Sequence, residues 1–111
     1  MTIEEIEADV ARERAAAGAL LLDVREPDEW AAGHVAESLH IPMGEVGARL
    51  DELPTDRPIV AVCRSGARSG AITEALVSRG YDVVNLAGGL QAWMAEGLPL
   101  LADDGLPGAV L

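Results

Sequence analysis

The only cysteine of the chain, Cys63, stands between an apolar run and a loop of small and basic residues. Residues 59–62 are all apolar and mostly β-branched, which is typical of a buried parallel strand. Residues 71–77 return to helical spacing, and Gly80 is a typical helix end. The pattern therefore predicts that Cys63 lies where a strand has ended and the next helix has not yet begun.

This position favours a reactive thiol. The first N–H groups of a helix have no partner inside the helix and carry partial positive charge, and small loop residues can direct further N–H groups to the same point. We therefore expect the pKa of Cys63 to lie below its ordinary value and its sulfur to be an exposed thiolate. We predict that Cys63 is the catalytic nucleophile and that the following loop binds the substrate through Arg64, Ser65, Gly66, Ala67, Arg68 and Ser69.

The alternative for a lone cysteine is a small buried hydrophobic residue, which is the more common case. Packing alone does not require Arg64, Gly66 and Arg68 at a strand-to-helix junction, and this is where α/β sheets place their ligands. We therefore favour the catalytic interpretation of Cys63.

Three segments of the sequence resemble the rhodanese family of thiosulfate and persulfide sulfurtransferases. They are the loop 63–69, the stretch 21–42 with its Asp-Val-Arg-Glu-Pro and Gly-His-Val motifs, and residues 84–93 with their Gly-Gly pair. The segments come in the family's order. The resemblance implies an α/β domain over residues 1–99, with a mainly parallel sheet of about five strands, helices on both faces and Cys63 at the centre. Residues 100–111 have no clear period and form a C-terminal extension of undecided order: an extended strand packed on the domain, an unpacked tail, or an apolar contact for a partner.

The resemblance also implies a reaction. Cys63 would take the outer sulfur of a small anionic donor, hold it as a persulfide and pass it to a thiol or cyanide, without metal or cofactor. Arg68 is expected to hold the sulfite end, with Arg64 as a second candidate.

Four further residues are expected to support the site. Asp23 and Arg25 are charges at the end of a predicted strand, and we expect them to hydrogen-bond neighbouring loops and seat the active loop. Gly88 and Gly89 are expected to permit close approach of two backbone segments.

Three other functions remain open at this stage. A phosphatase or arsenate reductase would have five residues between cysteine and arginine, whereas only four lie between Cys63 and Arg68. A persulfide carrier would use the same chemistry with a sulfur-donor protein, such as a cysteine desulfurase, as its partner. A non-catalytic binding module of this family would usually lack the cysteine.

Composition excludes several classes of function. The formal net charge of −11 argues against nucleic acid, because such binding depends on lysine and arginine. The sequence has no apolar run long enough to span a membrane and no signal-peptide pattern at its start. One cysteine excludes an internal disulfide and a CxxC pair, so we expect a reducing, cytoplasmic location.

The surrounding elements are predicted from pattern and capping. Thr2 and Glu5 fit a capping box, which predicts a first helix from there to Gly18. Residues 19–24 read as a central strand and residues 26–33 as a short helix. Val46, Leu50 and Leu53 recur at helical spacing, which predicts a small amphipathic helix.

Four side chains near these elements have predicted structural roles. Trp30 is expected to fill the core, and Glu29 to be solvated or ion-paired. His34 and His40 are expected to make hydrogen bonds within loops, and we assign neither a catalytic pairing with Cys63 nor a metal. Glu37 stands where the family often has glycine, so it would be strained if its backbone is left-handed.

Overall fold

The computed structural model describes residues 2–111 and contains one five-stranded sheet. The strands are β1 (Glu5–Ile6), β2 (Leu20–Asp23), β3 (Leu39–His40), β4 (Ile59–Val62) and β5 (Val83–Leu86). Their order in the sheet is β1-β5-β4-β2-β3, and every neighbouring pair is parallel. The predicted α/β fold with a parallel five-stranded sheet is confirmed, and β4 is the middle strand.

Four α-helices and one 3₁₀ segment connect the strands. They are α1 (Ala8–Ala16), α2 (Pro27–Ala32), α3 (Ala67–Val77), α4 (Gly89–Ala95) and the 3₁₀ segment Met43–Glu52 between β3 and β4. Strand side chains alternate between the two faces of the sheet, and each face has its own apolar cluster. Val60 and Val62 pack with residues of α1 and α4, whereas Ile59, Ala61 and Cys63 pack with residues of α3 and the 3₁₀ segment.

The register of the strands brings the predicted site residues to one edge of the sheet. Asp23 at the end of β2 lies opposite Val62 at the end of β4, and Cys63 follows Val62 directly. The end of β5 at Leu86 leads to Gly88 at the same edge, because parallel strands share the direction of their carboxyl ends.

The predicted first helix is wrong at its start. Residues Glu5 and Ile6 form β1, which pairs with Asn85 and Leu86, and the helix begins only at Ala8. The N–H of Asn85 in β5 donates to the Glu4 carbonyl (2.9 Å), and the N–H of Ala87, just after β5, donates to the Ile6 carbonyl (2.9 Å). The main-chain groups at the edge of β5 are therefore hydrogen-bonded by a segment whose local pattern is compatible with a helix. Tertiary pairing outweighs that local preference.

The predicted amphipathic helix around Val46 is also wrong in type. Residues 43–52 form 3₁₀ turns with a non-helical break at Arg49 (φ −120°, ψ 26°). Gly44 and Gly47 lie in this segment and lower its α-helical propensity. Val46 and Leu53 are still buried, so the predicted apolar face serves the core.

The tail 100–111 packs against the end of α2. Leu100 is buried, and Leu101 exchanges main-chain hydrogen bonds of 2.9 and 2.8 Å with His34. The N–H of Ala109 donates to the carbonyl of Ala32 at 2.9 Å. The tail thus contacts the domain through main-chain hydrogen bonds without forming a strand of the sheet, and the domain boundary at residue 99 stays a prediction.

Candidate active site

Cys63 follows the middle strand of the sheet, and two groups at the start of α3 donate hydrogen bonds to its sulfur. The N–H of Gly66 lies 3.1 Å from Sγ, and the Ser69 hydroxyl oxygen lies 3.2 Å from it. Gly66 is the N-cap of α3 and has a left-handed backbone (φ 100°). A Cβ atom at Gly66 would lie 3.3 Å from the Leu86 carbonyl, so both conformation and space favour glycine at this turn.

The expected exposure of Cys63 is wrong. Its exposed fraction is 0%, and it belongs to the apolar cluster on the α3 face of the sheet. The loop residues Arg64, Ser65 and Ala67 are exposed instead. Burial of a sulfur is compatible with a reactive site here because polar donors are directed at it.

Burial and hydrogen bonding act on the thiol in opposite directions. Burial by itself raises the pKa of Cys63, because it disfavours the charged form. Hydrogen bonds from the Ser69 side chain and from the main-chain N–H groups of Ser69, Gly66 and Ser65 lower it. Together these donors outweigh burial, so the pKa of Cys63 lies below its ordinary value.

The Ser69 hydroxyl is shared between Cys63 and Asn85. Ser69 Oγ lies 2.6 Å from Asn85 Oδ1. The Asn85 amide group donates to the Gly66 carbonyl and to a Glu5 carboxylate oxygen, both at 2.9 Å, so Oδ1 remains free to accept from Ser69. One hydroxyl proton cannot serve both acceptors at once. Sequence reasoning missed Asn85, although a polar residue inside an apolar strand was a signal for it.

Arg68 lies in an ion pair with Glu29 of α2. Its Nη1 and Nη2 atoms lie 2.7 and 2.9 Å from the two carboxylate oxygens. The hydrogen bonds from Arg68 lower the pKa of Glu29 to about 2, and the pKa of Arg68 is raised in turn. Glu29 was expected to be either solvated or ion-paired, and it is ion-paired. Arg64 is exposed, and no carboxylate within residues 2–111 forms an ion pair with it.

Asp23 and Arg25 form a buried pair that fastens α2 to the sheet. Arg25 Nη2 lies 2.8 Å and Nε 2.9 Å from the Asp23 carboxylate oxygens. The same guanidinium donates to the carbonyls of Gly33 (2.7 Å) and Glu29 (3.2 Å). The pair contacts the backbone that carries Glu29, so it supports the site through α2.

The N-terminus of α4 closes the other side of the active loop. The N–H groups of Leu90 and Gln91 donate to the carbonyls of Cys63 (2.9 Å) and Arg64 (3.0 Å). A Cβ atom at Gly89 would lie 2.4 Å from the Arg64 carbonyl oxygen, and both Gly88 (φ 72°) and Gly89 (φ 59°) are left-handed. Only glycine permits this approach without a shift of the backbone.

Trp30 was predicted to fill the core, and this prediction is wrong. It is half-buried and stacks on His34 (centroids 3.7 Å apart) and on His40 (4.7 Å), so the two imidazoles form its environment. A ring nitrogen of His34 lies 2.8 Å from the Trp30 carbonyl, and one of His40 lies 2.7 Å from the Arg25 carbonyl. Both histidines make the loop hydrogen bonds expected of them. Within residues 2–111, no cluster of histidine, cysteine and carboxylate side chains has the composition of a metal site.

The chain as a whole matches a known family of proteins. The rhodanese-like domain model matches residues 6–96. A sulfurtransferase of Allochromatium vinosum is 41% identical over 106 residues, which cover 93% of this chain and 99% of that protein.

Solved structures agree with this. A rhodanese-related protein of Thermoplasma volcanium has a TM-score of 0.85 at 35% identity, covering 90% of this chain and 99% of its own. A rhodanese-like domain protein of Staphylococcus aureus has a TM-score of 0.77 at 29% identity, covering 82% and 91%. Within residues 2–111, none of the helices has the length and apolar character to cross a bilayer. The family model spans most of the sequence, and this chain belongs to the rhodanese-like domain family, among whose members are sulfurtransferases.

Proposed function

We propose that the protein transfers a sulfane sulfur from thiosulfate or a persulfide to a thiophilic acceptor through a persulfide on Cys63. The observation that carries this proposal is the environment of Sγ, which accepts hydrogen bonds from the Gly66 N–H (3.1 Å) and the Ser69 hydroxyl (3.2 Å). A thiol whose pKa is lowered in this way forms the nucleophilic thiolate more readily, and its attack on sulfur needs no general base.

The first step forms the persulfide. The Cys63 thiolate attacks the outer sulfur of thiosulfate, a new bond forms between Sγ and that sulfur, and the electron pair of the broken sulfur–sulfur bond leaves with sulfite. The N–H groups of residues 64–69 stabilise the negative charge on the transferred sulfur. Arg64 meets the anionic end of the donor, and Arg68 does so when its pair with Glu29 opens.

The second step releases the sulfur. A thiolate or cyanide attacks the outer sulfur of the persulfide, and the electron pair of the Sγ–sulfur bond returns to Cys63 as thiolate. The donor is a small anion or a sulfur-carrying protein, and a reducing, cytoplasmic setting suits a thiol that oxidants would inactivate.

Intact-mass measurement after incubation with thiosulfate or with an organic persulfide tests the proposal. The wild-type protein is expected to gain the mass of one sulfur atom with at least one of these donors and to lose it on addition of cyanide. The Cys63→Ser variant is expected to gain nothing. Equal labelling of the two proteins would contradict the role of Cys63.

Steady-state kinetics test the order of steps. Double displacement predicts parallel lines in double-reciprocal plots at several acceptor concentrations. Lines that intersect at one point would show that donor and acceptor bind together, which contradicts a free persulfide intermediate.

A further inference from the structure

We propose that Glu29 determines donor specificity by occupying Arg68 as an internal anion, so that the site favours organic persulfides over thiosulfate. This inference rests on the proposed sulfur transfer through Cys63. It assigns to Glu29 a role in selecting the donor, and its carboxylate takes the place on Arg68 that the sulfite end of thiosulfate would otherwise fill.

The ion pair is held in place from both sides. Both terminal nitrogens of Arg68 donate to Glu29 (2.7 and 2.9 Å), which is the bidentate arrangement that suits a guanidinium and a carboxylate. The Glu26 N–H donates to the same carboxylate at 3.1 Å, and Arg25 holds the Glu29 carbonyl at 3.2 Å. Because the carboxylate is positioned before any donor arrives, a dissolved anion competes with a partner that is always present.

The charge balance disfavours a dianion. Thiosulfate brings two negative charges to a loop that already carries the Cys63 thiolate. Of the two arginines in this loop, Arg68 is paired with Glu29, and Arg64 forms no ion pair within residues 2–111. If thiosulfate displaced Glu29 from Arg68, the pKa of the freed carboxylate would return towards its ordinary value. That value is still well below neutral pH, so the carboxylate would remain ionised near the new anion. An organic persulfide carries at most one charge on its sulfurs and does not need Arg68.

The space beside Arg68 suits the organic part of such a donor. A cavity of about 560 Å³ is lined by Arg68 together with Val24, Met43, Ile72, Gly44 and Glu26. The lining is mainly apolar, and Met43 is 37% exposed towards solvent. Thioether and aliphatic side chains contact carbon chains favourably, whereas a sulfonate gains nothing from them.

The transfer from this donor balances without a further reactant. The Cys63 thiolate attacks the terminal sulfur of the persulfide and forms the Sγ–sulfur bond. The original sulfur–sulfur bond breaks, and its electron pair leaves with the organic thiolate. The terminal proton, where present, stays on the transferred sulfur.

Initial rates with thiosulfate and with an alkyl persulfide, n-butyl hydropersulfide, each with cyanide as acceptor, test the inference. In the wild-type protein kcat/KM for the persulfide is expected to exceed that for thiosulfate by about tenfold or more, the factor that one charge-assisted hydrogen bond supplies. In Glu29→Gln the KM for thiosulfate is expected to fall about tenfold, since Arg68 becomes available, while the persulfide parameters change by less than about threefold.

Asp28→Asn is the matched control. Asp28 is exposed on the same helix turn, and its removal eliminates one negative charge without touching Arg68. This variant is expected to keep the wild-type donor preference. Equal gains for thiosulfate in both variants would show a general charge effect and overturn the role of Glu29.

Two further outcomes are decisive. If the wild-type protein prefers thiosulfate, the specificity proposal is overturned while the proposed sulfur transfer stands. This comparison needs no variant. Absence of any sulfur mass gain on Cys63 with either donor, in wild type and variants alike, overturns the proposed function itself.

Discussion

The Ser69 hydroxyl is the side-chain group that bears most directly on the chemistry of Cys63. It lies 3.2 Å from Sγ and 2.6 Å from Asn85 Oδ1, and its single proton can point to either. A thiolate attracts that proton more strongly than a neutral thiol does, because hydrogen bonds to charged acceptors are stronger. The protonation state of Cys63 and the orientation of Ser69 are therefore coupled.

Replacing Ser69 by alanine is expected to raise the pKa of Cys63, since one of the donors that oppose burial is lost. The ultraviolet absorbance of the thiolate, followed against pH, measures this without requiring a reagent to reach the buried sulfur. Ser65→Ala is the control, because Ser65 contributes its main-chain N–H, which the substitution keeps. Superimposable titration curves for wild type and Ser69→Ala would contradict the coupling.

Glu37 adopts a left-handed backbone with φ 66° and is the one non-glycine residue within 2–111 that has a positive φ. The strain expected from the sequence is therefore present. Glu37→Gly is expected to raise the free energy of unfolding by about 0.5–1 kcal/mol, because glycine adopts this conformation without steric cost. Urea denaturation measures the gain. Glu37→Ala keeps the strain, so a glycine variant no more stable than the alanine variant would refute the explanation.

At the scale of elements, α2 connects the sheet to the active loop. Arg25 fastens its backbone to Asp23 at the end of β2, and Glu29 on the same helix reaches Arg68 in α3. The placement of Arg68 thus depends on a helix that is 39 residues away in sequence. A substitution in the Asp23–Arg25 pair is therefore expected to change the free energy of unfolding more than it changes the geometry of the active site.

Arg25→Met is expected to lower the free energy of unfolding by about 3–5 kcal/mol, since it leaves the Asp23 carboxylate buried and unpaired. Chemical denaturation followed by circular dichroism gives the value. Arg79→Met, at an exposed position of the turn after α3, is expected to change stability by less than about 0.5 kcal/mol. Equal stability of the two variants would show that the buried pair contributes nothing.

At the scale of the whole molecule, acidic residues outnumber basic ones by 19 to 8, so acid conditions titrate many groups. Glu29 differs from an ordinary carboxylate, because the pairing with Arg68 lowers its pKa to about 2. A group whose pKa is lowered in the folded state stabilises the fold above its unfolded pKa, and this contribution disappears as the pH falls through the folded pKa.

Wild type is therefore expected to be more stable than Glu29→Gln at neutral pH by about 1–3 kcal/mol, a range that allows for solvent screening of the partly exposed Arg68. The difference is expected to shrink as the pH falls from about 5 towards about 2. Urea denaturation of both proteins at several pH values measures it. A difference that is constant over this range would contradict an ionic contribution of Glu29.

The sequence by itself determined the central strands of the sheet, the position of Cys63 at the end of one of them, and the family. The apolar residues 59–62, the glycine-containing loop and the Gly88–Gly89 turn are local patterns, and each corresponds to a local conformation. The tertiary structure decided what depends on distant neighbours. It recruited Glu5 and Ile6 as an edge strand, buried Cys63, placed Asn85 behind Ser69 and joined Arg68 to Glu29. These contacts form where parallel strands and the helices that follow them meet in space. A pattern along the chain does not show which distant charged or amide side chain will lie next to a given residue.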